Sequence, residues 1–157
     1  MRWKRILSRL IAEIFSFFSY RKRSGFRVLV YHSVGSKVDN DPYGIFSIDK
    51  TLFEDHISLL SEYEDIDLIS LEKYRNNPGD LQIAVTFDDG YKDNLYVAAP
   101  ILLKYKIPFT VFVTTSFVKE SKENYLTPKE LRELSELPNV TIGSHGMTHI
   151  SLTECND

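Results

Sequence analysis

Some features that often guide the interpretation of a sequence are scarce in this one. It has a single cysteine, Cys155, among 157 residues, which excludes a disulfide framework and any zinc site built from cysteines. Structural zinc would need histidine and carboxylate ligands instead. With 43% hydrophobic and 26% charged residues, the composition also excludes a disordered chain, a collagen-like fibre and a coiled coil. Length and composition together indicate one ordinary globular domain.

Charge is distributed unevenly along the chain. Residues 1–23 carry a net charge of +6, whereas the remainder carries −9. Because phosphate binding needs a basic surface, the acidic body argues against nucleic acid as the main partner. The sequence therefore divides into a basic N-terminal segment, residues 1–24, and a body, residues 25–157.

The N-terminal segment has the pattern of an amphipathic helix, with apolar residues at three- and four-residue spacing. Its longest uncharged run, Ile14 to Tyr20, has seven residues, whereas a membrane span needs about 20. Glu13 and the basic residues 21–23 do not fit a secretory signal. The segment fits peripheral contact with a membrane, or docking on its own domain or on a partner, equally well, and a degenerate, uncleaved signal-anchor is the third alternative. A cytoplasmic or membrane-peripheral location is thus favoured over secretion.

Strands and helices are predicted to alternate along the body. Asp49 or Thr51 is expected to cap a helix that runs to about Tyr63, and Thr127 is expected to cap another. Further helical segments are predicted after Ser70 and over residues 94–105. Strands are predicted at 27–32, 66–70, 82–87, 109–114 and 140–144. This alternation implies parallel βα units, hence an α/β fold that is either a doubly wound sheet or a barrel.

Polar residues with catalytic potential follow three of these strands: His32, the pair Asp88 and Asp89, and the pair His145 and His149. In parallel α/β folds the active site forms at the carboxyl ends of the strands. On extended backbone, the two aspartates would point to opposite sides, so one could bind a metal while the other acts as a base. The alternative is an Asp-Gly turn with two solvated acids.

His145 and His149 have the spacing of metal ligands. Three residues separate them, which places both on one side if the segment forms a helical turn. Two imidazoles and one carboxylate make a typical catalytic site for a divalent ion. Although a single histidine is more often a surface or core residue, the pair predicts a metal site.

These residues resemble the motifs of a known family. The sequence TFDDG at residues 86–90, followed by SHGMTH at 144–149, resembles the first two motifs of polysaccharide deacetylases, the NodB-homology enzymes of carbohydrate esterase family 4. Residues 31–34 and 107–113 resemble the flanking segments of that family. The resemblance extends from about Arg27 to Leu152. It implies an incomplete, barrel-like (β/α) fold behind the N-terminal amphipathic helix.

The resemblance also implies roles for individual residues. Asp88 would be the catalytic base, and Asp89, His145 and His149 would bind zinc or a similar divalent ion. The implied reaction removes N-acetyl groups from the sugars of an N-acetylated polysaccharide. His32 and Tyr91 are candidates for lining the site, with packing roles as the alternative.

The later motifs of the family do not follow the second histidine, since the chain ends at Asp157. They would supply part of the oxyanion hole and the general acid. We therefore expect a truncated domain with an open sheet edge that is prone to association. The alternatives are an inactive glycan- or metal-binding remnant that serves as a scaffold, and a hydrolase of another substrate class that a second chain completes.

Overall fold

A parallel β-sheet with helices between its strands forms the body of the protein. The computed structural model describes residues 24–38, 41–75, 81–151 and 153. The predicted N-terminal helix, with the membrane or protein contact expected of residues 1–23, lies outside these residues. The strands are β1 (Gly25–Tyr31), β2 (Ser33–Val34), β3 (Ser47–Ile48), β4 (Ile66–Leu68), β5 (Leu81–Phe87), β6 (Phe109–Val113) and β7 (Val140–Ser144).

Four α-helices accompany these strands in the described part of the chain. They are α1 (Lys50–Ser61), α2 (Ala99–Lys104), α3 (Thr115–Lys119) and α4 (Pro128–Ser135). A single 3₁₀ turn covers Leu71–Lys73, and a π-helical turn over Asn94–Ala98 leads directly into α2. The α/β class predicted from the sequence is confirmed, and all five predicted strands are present with shifts of one or two residues at their ends. None of the helices in the described part of the chain has the length and apolar character needed to cross a membrane.

Strand β5 is the centre of the sheet. It pairs in parallel with β1 along its whole length on one edge. Its other edge pairs with β4 through residues 81–83 and with β6 through residues 85–87. Strand β7 extends the sheet beyond β6, again in parallel. The carboxyl ends of β5, β6 and β7 therefore meet at one edge of the fold, which is where the candidate site forms.

The burial of β5 explains its central place. All seven of its residues are buried, as expected for a strand covered on both faces. Phe87 contacts the rings of Phe53 from α1 and Phe109 from β6 edge to face, with ring centroids 5.9 Å apart in each pair. Full burial of an aromatic side chain of this size contributes about 1.5–3 kcal/mol. These rings hold α1 against the sheet.

The helix boundaries follow local sequence signals. Asp49 caps α1 by accepting hydrogen bonds from the backbone N–H groups of Thr51 and Leu52. Thr127 and Glu130 form a complete capping box at the start of α4. The predicted helix over residues 94–105 contains the π-helical turn because Pro100, at the first turn of α2, has no N–H to donate. Two-residue strands β2 and β3 form a small separate sheet that the sequence pattern did not predict.

Candidate metal centre

Asp89 lies just beyond the end of β5, in a tight turn. Its backbone is left-handed, with φ of 71°, and that of Gly90 is left-handed as well, with φ of 80°. The expectation of an extended Asp88–Asp89 pair is therefore wrong, because the chain reverses at Asp89 itself. A Cβ atom at Gly90 would lie 2.9 Å from Cγ1 of Val113. Glycine at this position lets the turn pack directly against the end of β6.

His145 and His149 follow β7 in an irregular turn. The N–H of His145 donates to the carbonyl of Val113 at 2.8 Å, which extends the pairing of β6 and β7 by one residue. Gly146 and His149 are left-handed, with φ of 81° and 56°. The two histidines are thus brought together by a non-helical turn, and the helical turn considered from their spacing is absent.

The three side chains converge on one point. Oδ1 of Asp89 lies 3.1 Å from Nε2 of His149 and 3.5 Å from Nε2 of His145. One donor atom from each residue can be chosen so that all lie within 4.8 Å of one another. Asp89 is 5% exposed, whereas the histidines are partly open to solvent. The sheet therefore brings together the three residues that the sequence suggested as ligands.

The donor set fits a divalent metal ion. Oδ1 of Asp89 is buried and has no hydrogen-bond partner among the described residues, although both Nε2 atoms lie close to it. A buried polar atom without a hydrogen-bond partner is costly, and a cation bound by these three side chains would remove that cost. One carboxylate oxygen and two imidazole nitrogens suit zinc and other divalent transition metals, with positions left open for water. The cluster is consistent with a divalent metal site.

Asp88 is placed beside this cluster but outside it. Its N–H donates to the carbonyl of Tyr31 at the end of β1 (2.9 Å), and its carbonyl accepts from Gly90 (3.0 Å). The residue is half-buried, in contrast to the buried Asp89 next to it. The two aspartates therefore have different surroundings, as separate roles would require.

His32 lies at the end of β1 and does not join the three ligands. Its ring packs against Phe46, with the centroids 5.0 Å apart, and both residues line a cavity of about 380 Å³. The backbone carbonyl of His32 accepts a hydrogen bond of 2.8 Å from the side chain of Asn94. A site-lining role for His32 stays a prediction.

Tyr91 is buried beside the turn that carries Asp89. Its ring stacks on that of Tyr125 at 4.6 Å, and the Tyr125 hydroxyl donates to the Tyr91 hydroxyl at 3.1 Å. Burial, followed by this hydrogen bond, raises the pKa of the Tyr91 phenol. These contacts give Tyr91 a packing role, and its contribution to the lining of the site stays a prediction.

The sequence does not predict two groups of contacts near the site. The ring of Phe117 lies 6.0 Å from that of His149 and also contacts Tyr125. Ser33 and Asp93 form a buried hydrogen bond between β2 and the π-helical turn. No sequence spacing predicts either group, because both depend on contacts between distant parts of the chain.

Comparison with known proteins identifies the family. The sequence model of the polysaccharide deacetylase family matches residues 75–157, which is more than half of the chain and includes both motifs. This chain belongs to the polysaccharide deacetylase family. The family comprises carbohydrate esterases and hydrolases, and the resemblance noted in the sequence is thereby confirmed.

Individual relatives agree with this assignment. The chain is 27% identical over 133 residues to YxkH, a deacetylase-family protein of Bacillus subtilis (strain 168), and the match covers 80% of this chain and 43% of YxkH. Its fold is similar to that of the deacetylase PplD of Streptococcus pyogenes, with a TM-score of 0.69 and 22% identity over 85% of this chain and 62% of PplD. IcaB of Ammonifex degensii gives a TM-score of 0.66 and 25% identity over 79% of this chain and 54% of IcaB.

The chain thus spans about half the length of the relatives it matches.

Proposed function

We propose that this chain forms the metal-binding part of a zinc-dependent deacetylase that removes N-acetyl groups from the sugars of an N-acetylated glycan. The observation that carries the proposal is the buried Oδ1 of Asp89, which has two imidazole nitrogens within 3.5 Å. Membership of the deacetylase family supports the substrate class. Asp89, His145 and His149 are the proposed ligands.

Asp88 is the proposed catalytic base. Water adds to the acetyl carbonyl carbon, and the Asp88 carboxylate accepts a proton from that water. The C–N bond then breaks, the nitrogen gains a proton and leaves as the free amine of the sugar, and acetate carries away the oxygen of the water. A divalent ion, when bound, supplies Lewis acidity that polarises the carbonyl and lowers the pKa of water. The partial exposure of Asp88 supports this role, since a base must reach solvent-derived water.

The test separates metal binding from catalysis. Zinc affinity and acetate release from N-acetylglucosamine oligomers are measured for the wild-type chain, Asp88→Asn, Asp89→Asn and His145→Ala, each also in a form extended by the later motifs of the family. We expect Asp89→Asn to lose both zinc binding and acetate release, and Asp88→Asn to lose acetate release while it still binds zinc. Unchanged zinc binding in both Asp89→Asn and His145→Ala would show that the site is wrongly assigned. Acetate release only from the extended wild-type form would support the proposal, whereas zinc and glycan binding without acetate release from either wild-type form would support a binding module instead.

A further inference from the structure

Three consecutive backbone N–H groups, those of Thr114, Thr115 and Ser116, contact both halves of the candidate metal site. The N–H of Thr114 donates to the carbonyl of Asp89 at 3.3 Å. Those of Thr115 and Ser116 donate to the carbonyls of Gly146 at 3.2 Å and Met147 at 2.9 Å. We call these three N–H groups the amide clamp. One short segment thereby holds the turn after β5 and the turn after β7.

The position of these amides explains why they are available. They span the end of β6 and the first residues of α3, and the first N–H groups of a helix have no partner within it. A side chain at the N-cap usually accepts from them, but Thr114 makes no such hydrogen bond here. The carbonyls of the two site-bearing turns take that place.

The turn that carries the histidines has little else to fix it. Residues 146–150 are all exposed, and the Met147 side chain is 69% exposed, so packing other than the contact of the Phe117 and His149 rings contributes little to holding the turn in place. Two of the carbonyls between His145 and His149 are the ones bound by the amide clamp. Because a metal site needs its ligands at fixed separations, the hydrogen bonds to this turn decide how well the ligands are pre-arranged.

We propose that the amide clamp positions the two halves of the metal site relative to each other, and that Thr115 and Ser116 are positioning residues for the bound ion. The proposal rests on the proposed function, in that it requires the cluster to bind a divalent metal. Outer contacts that orient metal ligands are typically worth 10–100-fold in metal affinity. An effect of that size is expected when the clamp is broken.

Proline at position 115 removes one N–H of the amide clamp and is compatible with the existing backbone conformation. Thr114 has φ of −82° and ψ of 108°, a conformation suited to the residue before proline. Proline is tolerated at the first position of a helix, and Pro128 already occupies that position in α4. In Thr115→Pro the ring would also press on the Gly146 carbonyl that now accepts from this N–H. We expect zinc to bind roughly 10–100-fold more weakly, as measured by competition with a chelating dye.

Two variants serve as matched controls. Thr115→Ala retains the N–H and removes only the long hydrogen bond of 3.5 Å from its hydroxyl to the Gly146 carbonyl, so it should lose far less zinc affinity than Thr115→Pro. Lys50→Pro introduces the same ring at the start of α1, which contributes no ligand, after Asp49 in an extended conformation. Lys50→Pro should bind zinc like the wild type.

A spectroscopic readout distinguishes positioning from a general loss of stability. With cobalt(II) in place of zinc, visible absorption reports the geometry of the ligands, and we expect Thr115→Pro to alter the spectrum while both controls retain it. Wild-type zinc affinity and an unchanged spectrum in Thr115→Pro would overturn the clamp and leave the metal site intact. Failure of the wild-type chain to bind zinc or cobalt would overturn the proposed function and the clamp together.

If Thr115→Pro does not fold, amide hydrogen exchange of the wild-type chain provides the test. Zinc should slow exchange of the Thr115 and Ser116 amides more than that of the Thr51 and Leu52 amides at the start of α1, since opening of the clamp would separate the ligands. Equal slowing at both helix starts, or none at Thr115 and Ser116, would refute the proposal.

Discussion

The hydroxyl of Ser33 donates a hydrogen bond of 2.6 Å to Oδ2 of Asp93 in a place from which solvent is almost excluded. Asp93 precedes the π-helical turn, and the next residue, Asn94, binds the carbonyl of His32. Burial raises the pKa of the Asp93 carboxyl, against the opposing effect of the hydrogen bonds from Ser33 and from residues 34 and 36. This pair links the segment after β1 to the segment that follows Asp89, the proposed metal ligand.

The raised pKa of Asp93 predicts a pH-dependent cost to folding. Above about pH 4, aspartate in the unfolded chain is ionised, whereas the Asp93 carboxyl of the folded chain still binds its proton more tightly. The free energy of unfolding of the wild type should therefore fall relative to that of Asp93→Asn as pH rises through this window. Urea unfolding of both proteins from pH 4 to 7 measures the difference. A difference that stays constant with pH would contradict the prediction.

Zinc should stabilise the wild-type chain and have no effect on Asp89→Asn. A ligand at 100 times its dissociation constant stabilises the folded state by about 2.7 kcal/mol, which for a chain of this size raises the melting temperature by roughly 5–10 °C. Without metal, we expect Asp89→Asn to be at least as stable as the wild type, because it no longer buries a carboxylate whose Oδ1 has no hydrogen-bond partner among the described residues. Thermal melts with zinc and with a chelator measure both effects. Zinc stabilisation of the two proteins by equal amounts would disprove this role of Asp89.

Gly90→Ala should destabilise the protein more than Gly44→Ala. Both glycines have positive φ, 80° and 62°, so each substitution incurs the left-handed penalty of about 1–2 kcal/mol. A Cβ at Gly44 has no atom within 4 Å, whereas one at Gly90 would clash with Val113. The overpacking should cost Gly90→Ala about 1–3 kcal/mol more. Denaturant unfolding of the two variants gives the comparison, and equal losses would mean that the turn can move away from β6.

Removal of the capping box should weaken α4. Thr127→Ala deletes the hydroxyl that accepts from the Glu130 N–H, and such losses cost about 0.5–2 kcal/mol. Thr127→Ser restores a hydroxyl at the same position and should recover most of that stability. Chemical denaturation of the two variants and the wild type measures these differences in the free energy of unfolding. If the serine variant were as unstable as the alanine variant, the hydroxyl would not be the source of the effect.

The sequence indicated the three proposed ligands because each of them follows a strand. Strand order and direction place Asp89, His145 and His149 at the same edge of the sheet, and parallel pairing of β5, β6 and β7 was expected from the alternation of strands and helices. Local sequence patterns also predicted the helix caps at Asp49 and Thr127 correctly.

Other features depend on contacts that a linear pattern does not encode. The left-handed backbone of Asp89 and His149 has no local sequence signal, since neither residue type requires it. Helix α3 has only five residues and no side-chain cap, so no spacing marks it. The amide clamp consists of backbone groups, which every non-proline residue possesses, and only the fold decides which carbonyls they meet.

Within the described residues, the two halves of the site extend from strands with different numbers of paired neighbours. Asp89 extends from β5, which is paired on both edges, whereas the histidines extend from β7, which within the described part of the chain pairs only with β6. Edge strands open by local fluctuation more readily than central ones do. A transient separation of β7 from β6 would carry the histidines away from Asp89 while the core stays folded. The rate at which a chelator removes a bound ion would then follow the fraying of this edge, with no need for the whole domain to unfold.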